Sequence, residues 1–283
     1  MTNRETIGII NKHSFYLKKR YGQHFLTDEH VKNKIISACN LTKDDLAIEI
    51  GPGIGSLTKS LAGCAGKVCA VEIDGSLLPI LEETLAGCGN VEIIHADILK
   101  TDIGALIKKS GFKNAKVAAN LPYNVATAVI TSLLSMRHPI ESITVMVQKE
   151  VANRLMAVPG TKDYGSLTLY TGFYSEPCLV ANVPVNSFVP RPKVDSAVIR
   201  LNILKEPNAS VYDEGLFFGF IKAAFSQRRK TLVNCMLNNG VFGLSKEELE
   251  AVLIKNGFPA QIRGEALGLR DFEMIFNAIM PML

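Results

Sequence analysis

The sequence predicts an α/β fold: a doubly wound, largely parallel sheet followed by a small all-helical unit. Three observations carry this expectation. Short, continuous apolar runs alternate with helical segments through the first half of the chain, as expected for strands buried on both faces. A glycine-rich loop follows the first of those runs and opens a helix. From Pro207 onward strand signals stop and only helical spacing remains. The 283 residues suffice for a large core and a second unit, and 47% hydrophobic with 20% charged residues excludes a disordered chain.

Residues 1–16 show no sustained periodicity and read as a flexible N-terminal arm. Leu26-Thr27-Asp28 then has the form of a helix start, with an apolar face at Val31, Ile35 and Ile36 running to about Cys39. Leu46–Ile50 is the first strand, and the glycine loop leads into a helix at Ser56–Leu61. Lys67–Ile73, Val91–Ile94, Lys116–Ala119 and Ser142–Val147 follow as strands, separated by helices at Ser76–Leu85, Ile103–Lys108 and Val125–Met136. The charge-free stretch from Val117 to Met136 is about long enough to span a membrane. Asn120, Pro122, Asn124 and several hydroxyls within it favour a strand, a turn and a buried helix.

Leu167–Tyr174 and Val198–Leu204 read as later strands around a proline-rich loop from Pro184 to Pro192. Helical spacing covers Phe217–Ala224, Lys230–Leu237, Lys246–Asn256 and Arg270–Ile279, with Ser245 and Gly257 as caps. The expected division is an arm (1–16), an α/β catalytic domain (17–205) and a helical domain (206–283). Six cysteines without C-x-x-C or paired-histidine spacing argue for reduced thiols in a cytosolic protein, without zinc or disulfides. A signal-peptide apolar core is not visible at the N-terminus.

The chemistry concentrates at predicted strand ends. Glu49-Ile50-Gly51-Pro52-Gly53-Ile54-Gly55 lets the backbone approach a ligand closely and offers free N–H groups at a helix start. About twenty residues on, Glu72 ends the second strand, where a carboxylate accepts both hydroxyls of a ribose. The third glycine comes one residue too early for the dinucleotide fingerprint, which weighs against NAD and leaves S-adenosylmethionine as the other reading. Asp97, after the third strand, suits either a helix cap or an adenine amine. Asn120-Leu121-Pro122-Tyr123 ends the fourth strand with an amide, a carbonyl, a stiff proline and an aromatic ring, a set suited to gripping a flat base by its exocyclic amine while the ring stacks on it. Gly51, Glu72, Asp97 and Asn120 thus follow four successive strands on the edge where doubly wound sheets bind ligands.

Net charge is only +4, but Lys18-Lys19-Arg20, Arg191 with Lys193, and Arg228-Arg229-Lys230 form compact basic groups suited to phosphate contacts. The last group is expected on a helix of the C-terminal domain.

At these residues the sequence resembles the ribosomal RNA adenine N6-dimethyltransferases, most closely their bacterial small-subunit branch. The resemblance runs from about Lys18 to the C-terminus. It rests on Lys19-Arg20-Tyr21-Gly22-Gln23-His24-Phe25-Leu26, Glu49-Ile50-Gly51-Pro52-Gly53, Asn120-Leu121-Pro122-Tyr123-Asn124 and Gln148-Lys149-Glu150-Val151, and continues through Tyr164-Gly165, Phe188 to Val198 and Phe225 to Leu232. It implies a Rossmann-like class I S-adenosylmethionine methyltransferase domain. His24, Leu26, Gly51, Glu72, Asp97 and Asn120 would contact the cofactor, and Asn120, Leu121, Pro122, Tyr123 and Phe188 would form the catalytic site, with Tyr123 and Phe188 on opposite faces of the target base. Lys18, Lys19, Arg20, Arg191, Lys193, Arg228, Arg229 and Lys230 would contact RNA.

The implied reaction is dimethylation of two adjacent adenosines near the 3′ end of 16S rRNA in the 30S particle, by a cytoplasmic monomer without a metal. The rivals are the 23S rRNA dimethyltransferases of the antibiotic-resistance branch, a 30S assembly factor with secondary catalysis, and a NAD-dependent oxidoreductase.

Overall fold

Leu46–Ile50 is buried at every position, and its neighbours on both sides explain why. The computed structural model describes residues 1–16, 18, 22–136 and 139–283. In chain order the elements are α1 (Asn3–Lys12), β1 (Phe25–Leu26), α2 (Glu29–Cys39), β2 (Leu46–Ile50), α3 (Ser56–Cys64), β3 (Lys67–Glu72), α4 (Leu78–Leu85), β4 (Val91–His95), α5 (Ile103–Ser110), β5 (Ala115–Asn120) and α6 (Ala126–Ser135). They continue as β6 (Ile140–Gln148), α7 (Lys149–Leu155), α8 (Ser166–Tyr174), β7 (Ser175–Val183), β8 (Phe188–Val189), β9 (Ser196–Ile203), α9 (Glu214–Ala224), α10 (Leu232–Asn238), α11 (Lys246–Lys255) and α12 (Leu269–Ile279).

Seven strands form one sheet in the order β4-β3-β2-β5-β6-β9-β7. The pairs β2–β3, β2–β5, β3–β4 and β5–β6 are parallel, whereas β6–β9 is antiparallel. The strand order reverses between β2 and β5, which opens a crevice beyond the carboxyl ends of these strands. Ala47, Ala70, Ala118 and Ala119 keep the central strands slim and are all buried. On one side Val31, Ile35 and Cys39 of α2 and Leu57 and Leu61 of α3 pack with Ala47, Val68, Ala118 and Met146. Ile54, Leu77, Ile80, Leu81 and Leu85 form a separate cluster with Phe15 and Phe25. β1 and β8 make a two-stranded antiparallel ribbon, with Leu26 opposite Phe188.

The chain divides into two compact units, Met1–Ala152 with Glu176–Ile203, and Asn153–Ser175 with Leu204–Leu283. Residues 153–175, expected in the first domain, therefore group with the second. The same segment holds the clearest correction, because Leu167–Tyr174 is helical and not a strand. Its β-branched and aromatic residues favour a strand locally, but tertiary packing overrides that preference. Phe173 and Tyr174 pack against Phe218, and Phe173 also against Phe217 of α9. The Thr171 hydroxyl donates to the Leu167 carbonyl at 2.8 Å, so a buried polar group is satisfied within the helix. Phe217, Phe220, Phe272 and Phe276 complete an aromatic core in this unit.

Two further expectations change. The arm at 1–16 contains α1, started by a Thr2–Glu5 capping box. Its Lys12 and His13 both reach Glu83, and Ile9 and Ile10 pack on the Ile54–Leu77 cluster. Strand β7 also went unread: it lies at the sheet edge, where Pro177 is tolerated and only one side demands apolar residues. Among the described residues no helix is long and apolar enough to cross a membrane.

Candidate active site

The loop after β2 turns sharply into α3. Gly51, Gly53 and Gly55 have φ of +68°, +60° and +85°, a region that side chains with Cβ rarely adopt. The space around them differs. A Cβ on Gly51 would meet nothing within 4 Å, so its α-face opens onto the cavity, whereas one on Gly53 would come 3.0 Å from the Phe25 ring. The start of α3 has no side-chain cap, which leaves its first-turn N–H groups unclaimed by a side chain.

Two acids lie beneath this loop. Glu72 is 4% exposed; its Oε1 accepts from the Asp74 N–H at 2.8 Å and its Oε2 from the Gly53 N–H at 3.3 Å. Burial raises its pKa, and these N–H groups oppose the rise. Glu49 is more deeply buried, and desolvation pushes its pKa up to about 8, with the Glu72 charge adding to the effect. Its Oε2 has no hydrogen-bond partner. Asp97 caps the short turn Ile98–Lys100 by accepting from the Leu99 N–H through Oδ1 at 3.0 Å.

On the facing side, the Asn120 Nδ2 donates to the His24 carbonyl at 2.8 Å. A carbonyl can only accept, so the amide orientation is determined by chemistry, and Oδ1 is left as the acceptor. The Leu121 N–H bonds to the Met146 carbonyl and the Val125 N–H to the Pro122 carbonyl, which pins the turn at both ends. Tyr123 bonds through its hydroxyl to Ser196 Oγ at 2.7 Å, and its ring lies 5.6 Å from the His24 imidazole at an interplanar angle of 26°. His24 Nδ1 lies 2.8 Å from the Pro190 carbonyl, so that nitrogen carries the proton.

Gly51, Glu72, Asp97 and Asn120 all border one cavity, together with His24, Leu26, Leu121, Pro122 and Tyr123. Phe188 does not. It is 2% exposed and packs with Leu26, Val31 and Ile35, so its expected place against a target base gives way to a core position. Sequence reasoning missed the cavity-lining Lys32, and read Gln23 and Glu49 as parts of motifs. An acid inside an apolar strand run was the available signal for Glu49.

The basic groups fare unequally. Lys18 is committed to Asp74 at 2.7 Å. Lys19 and Arg20 lie outside the described residues. Arg191 and Lys193 are exposed, as are Arg228, Arg229 and Lys230. The last three occupy the turn before α10 and not a helix, because the N-cap Thr231 delays the helix start to Leu232. Arg228 approaches Glu265 at 3.6 Å. Among the described residues no cluster of His, Cys, Asp and Glu is arranged to hold a metal ion.

Residues 14–261 match the profile of the family described as Ribosomal RNA adenine dimethylase. The chain is 49% identical to Ribosomal RNA small subunit methyltransferase A of Lachnoclostridium phytofermentans, across 98% of this chain and 96% of the relative. Among solved structures it is similar to a dimethyladenosine transferase from Plasmodium falciparum (TM-score 0.73, 27% identity, 91% and 98% of the two chains). It is also similar to the 23S rRNA methyltransferase ErmE (TM-score 0.69, 27% identity, 90% and 99%).

Proposed function

The chain belongs to the ribosomal RNA adenine dimethylase family, and from that premise we propose that it dimethylates N6 of two adjacent adenosines near the 3′ end of 16S rRNA, using S-adenosylmethionine. The observation that carries this reading is the convergence of Gly51, Glu72, Asp97 and Asn120 on one cavity. The 30S particle is the proposed substrate, the cytoplasm the site of action, and a role in small-subunit biogenesis follows. Higher identity to a small-subunit enzyme than to ErmE favours this branch over 23S rRNA.

The residues fit the cofactor. Glu72 would hold the ribose hydroxyls and Asp97 the adenine amine, and the bare α-face of Gly51 leaves room for close approach. Glu49 places a buried carboxyl on the cavity wall, which suits a ligand carrying cationic groups. When bound, S-adenosylmethionine supplies a methyl group on a sulfonium, already an excellent leaving group.

The chain's own task is the acceptor. The N6 lone pair of adenine is delocalised into the ring, and Asn120 Oδ1 with the Leu121 carbonyl would accept its hydrogens and favour a pyramidal nitrogen. Positioning and directed electrostatics then carry the rate. Extruding the base costs a few kcal/mol, and stacking on Tyr123 offsets about 1–3 kcal/mol of it. His24 accepts from Asn120 through its backbone carbonyl and donates from Nδ1 to the Pro190 carbonyl.

The test is incubation of labelled S-adenosylmethionine with unmethylated 30S, 50S and naked 16S rRNA, read by nucleoside mass spectrometry. Dimethyladenosine from 30S is expected; product from 50S alone would overturn the branch, and binding without product would leave an assembly factor.

A further inference from the structure

Asp74 is 1% exposed, and both local partners and partners from a distant part of the chain converge on it. Its Oδ1 accepts from the Ser76 N–H at 3.1 Å and the Ser76 hydroxyl at 2.6 Å, the ordinary pattern of a residue capping a short turn. Local capping does not explain the rest. Lys18 Nζ donates to Oδ1 at 2.7 Å and Gln23 Nε2 to Oδ2 at 3.0 Å, from 56 and 51 residues away. Lys18 and Gln23 are also joined to each other, the Lys18 N–H donating to Gln23 Oε1 at 3.1 Å. Burial alone would raise the Asp74 pKa; these donors outweigh it and hold the carboxyl down at about 2.

The connections on either side give the cluster a direction. The Asp74 N–H, with that of Gly53, helps orient the Glu72 carboxylate. Gln23 is bonded covalently to His24, whose carbonyl takes the Asn120 amide. A continuous path therefore runs from Glu72 through Asp74 and Gln23 to His24 and Asn120.

We propose that Lys18, Gln23 and Asp74 are positioning residues, a clasp that holds the His24 carbonyl over Asn120 in fixed relation to the Glu72 carboxylate, so that cofactor binding and acceptor alignment are set together. The proposal rests on the cofactor reading of the site given above. It also replaces an RNA contact with an internal role for Lys18.

Three variants test it, Gln23→Ala, Lys18→Met and Lys18→Arg, because a buried Asp74 lacking its charge would put folding itself at risk. S-adenosylmethionine affinity is measured calorimetrically without RNA, single-turnover methyl transfer at saturating cofactor on unmethylated 30S, and thermal stability alongside. Gln23→Ala and Lys18→Met should each weaken cofactor binding about tenfold, the scale of a lost charge-assisted hydrogen bond. Each should also slow transfer at saturation, with Lys18→Arg recovering most of the loss. The Gln23→Ala/Lys18→Met double variant should be little worse than either single one, since both open the same clasp.

Unchanged cofactor affinity with a loss confined to RNA binding would overturn the proposal and return Lys18 to the RNA surface. A fall in melting temperature with normal affinity and transfer rate per folded molecule would overturn it as well. Failure of the wild-type protein to bind S-adenosylmethionine would overturn the cofactor reading, and this proposal with it.

Discussion

The Asn120 side chain donates to the His24 backbone carbonyl at 2.8 Å, joining residues 96 positions apart. The bond uses one of the amide's two N–H donors and leaves its oxygen as an acceptor at the cavity. Asn120→Ala removes both, and methyl transfer should fall about 100- to 1,000-fold, the scale seen when one preorganised polar contact to the reacting centre is lost. Cofactor binding should weaken only in part, because Glu72 and Asp97 remain. Asn120→Asp should be nearly as poor, since a carboxylate oxygen would face the His24 carbonyl. Single-turnover assays with calorimetry separate the two effects, and wild-type turnover in Asn120→Ala would remove Asn120 from the acceptor role.

Tyr123 offers a sharper contrast between two substitutions. Its hydroxyl is committed to Ser196, which is fully buried. Tyr123→Phe keeps the ring and forfeits one hydrogen bond, about 0.5–1.5 kcal/mol of net stabilisation. Tyr123→Ala also loses the stacking surface, about 1–3 kcal/mol per base. Methyl transfer should therefore fall further in the alanine variant, and equal losses in both would point to the hydroxyl.

How much of this could be read beforehand depended on the local signal. Leu46–Ile50 was legible because a central parallel strand is apolar at all but one position, and Gly51, Glu72, Asp97 and Asn120 were legible because each ends or follows such a run. Leu167–Tyr174 was not, since its helix depends on Phe217 and Phe218, far along the chain. Phe188 sits in a motif near the cavity, yet motif spacing says nothing of which way a ring points. Asp74 carried no sequence signal, because the donors that give it a second role arrive from Lys18 and Gln23. Long-range polar convergence leaves no periodic trace.

Phe188 provides a test of placement. As a core residue among Leu26, Val31 and Ile35, its truncation to alanine should cost about 3–5 kcal/mol of stability, visible as a lowered denaturation midpoint. Phe188→Leu, assayed where it is fully folded, should transfer methyl groups at nearly the wild-type rate per molecule. A large loss of rate in a folded Phe188→Leu protein would bring the ring back to the target base.

Glu49 links the site to pH. Its pKa rises from 4.5 to about 8 on folding, because burial disfavours the carboxylate and Glu72 adds to the penalty. The folded chain thus keeps a proton that the unfolded chain releases between these values. The stabilisation associated with this carboxyl is full below 4.5 and is lost as pH rises through 8. Glu49→Gln does not titrate, so its stability relative to wild type should improve steadily across that interval, as denaturant melts at several pH values would reveal. Cofactor binding adds a second signature. A ligand with cationic groups favours the carboxylate, so binding near neutral pH should expel a proton, measured by calorimetry in buffers of different ionisation enthalpy. The Gln variant should expel none from this position. Equal proton release in the two proteins would show that Glu49 is not the group that senses the cofactor's charge.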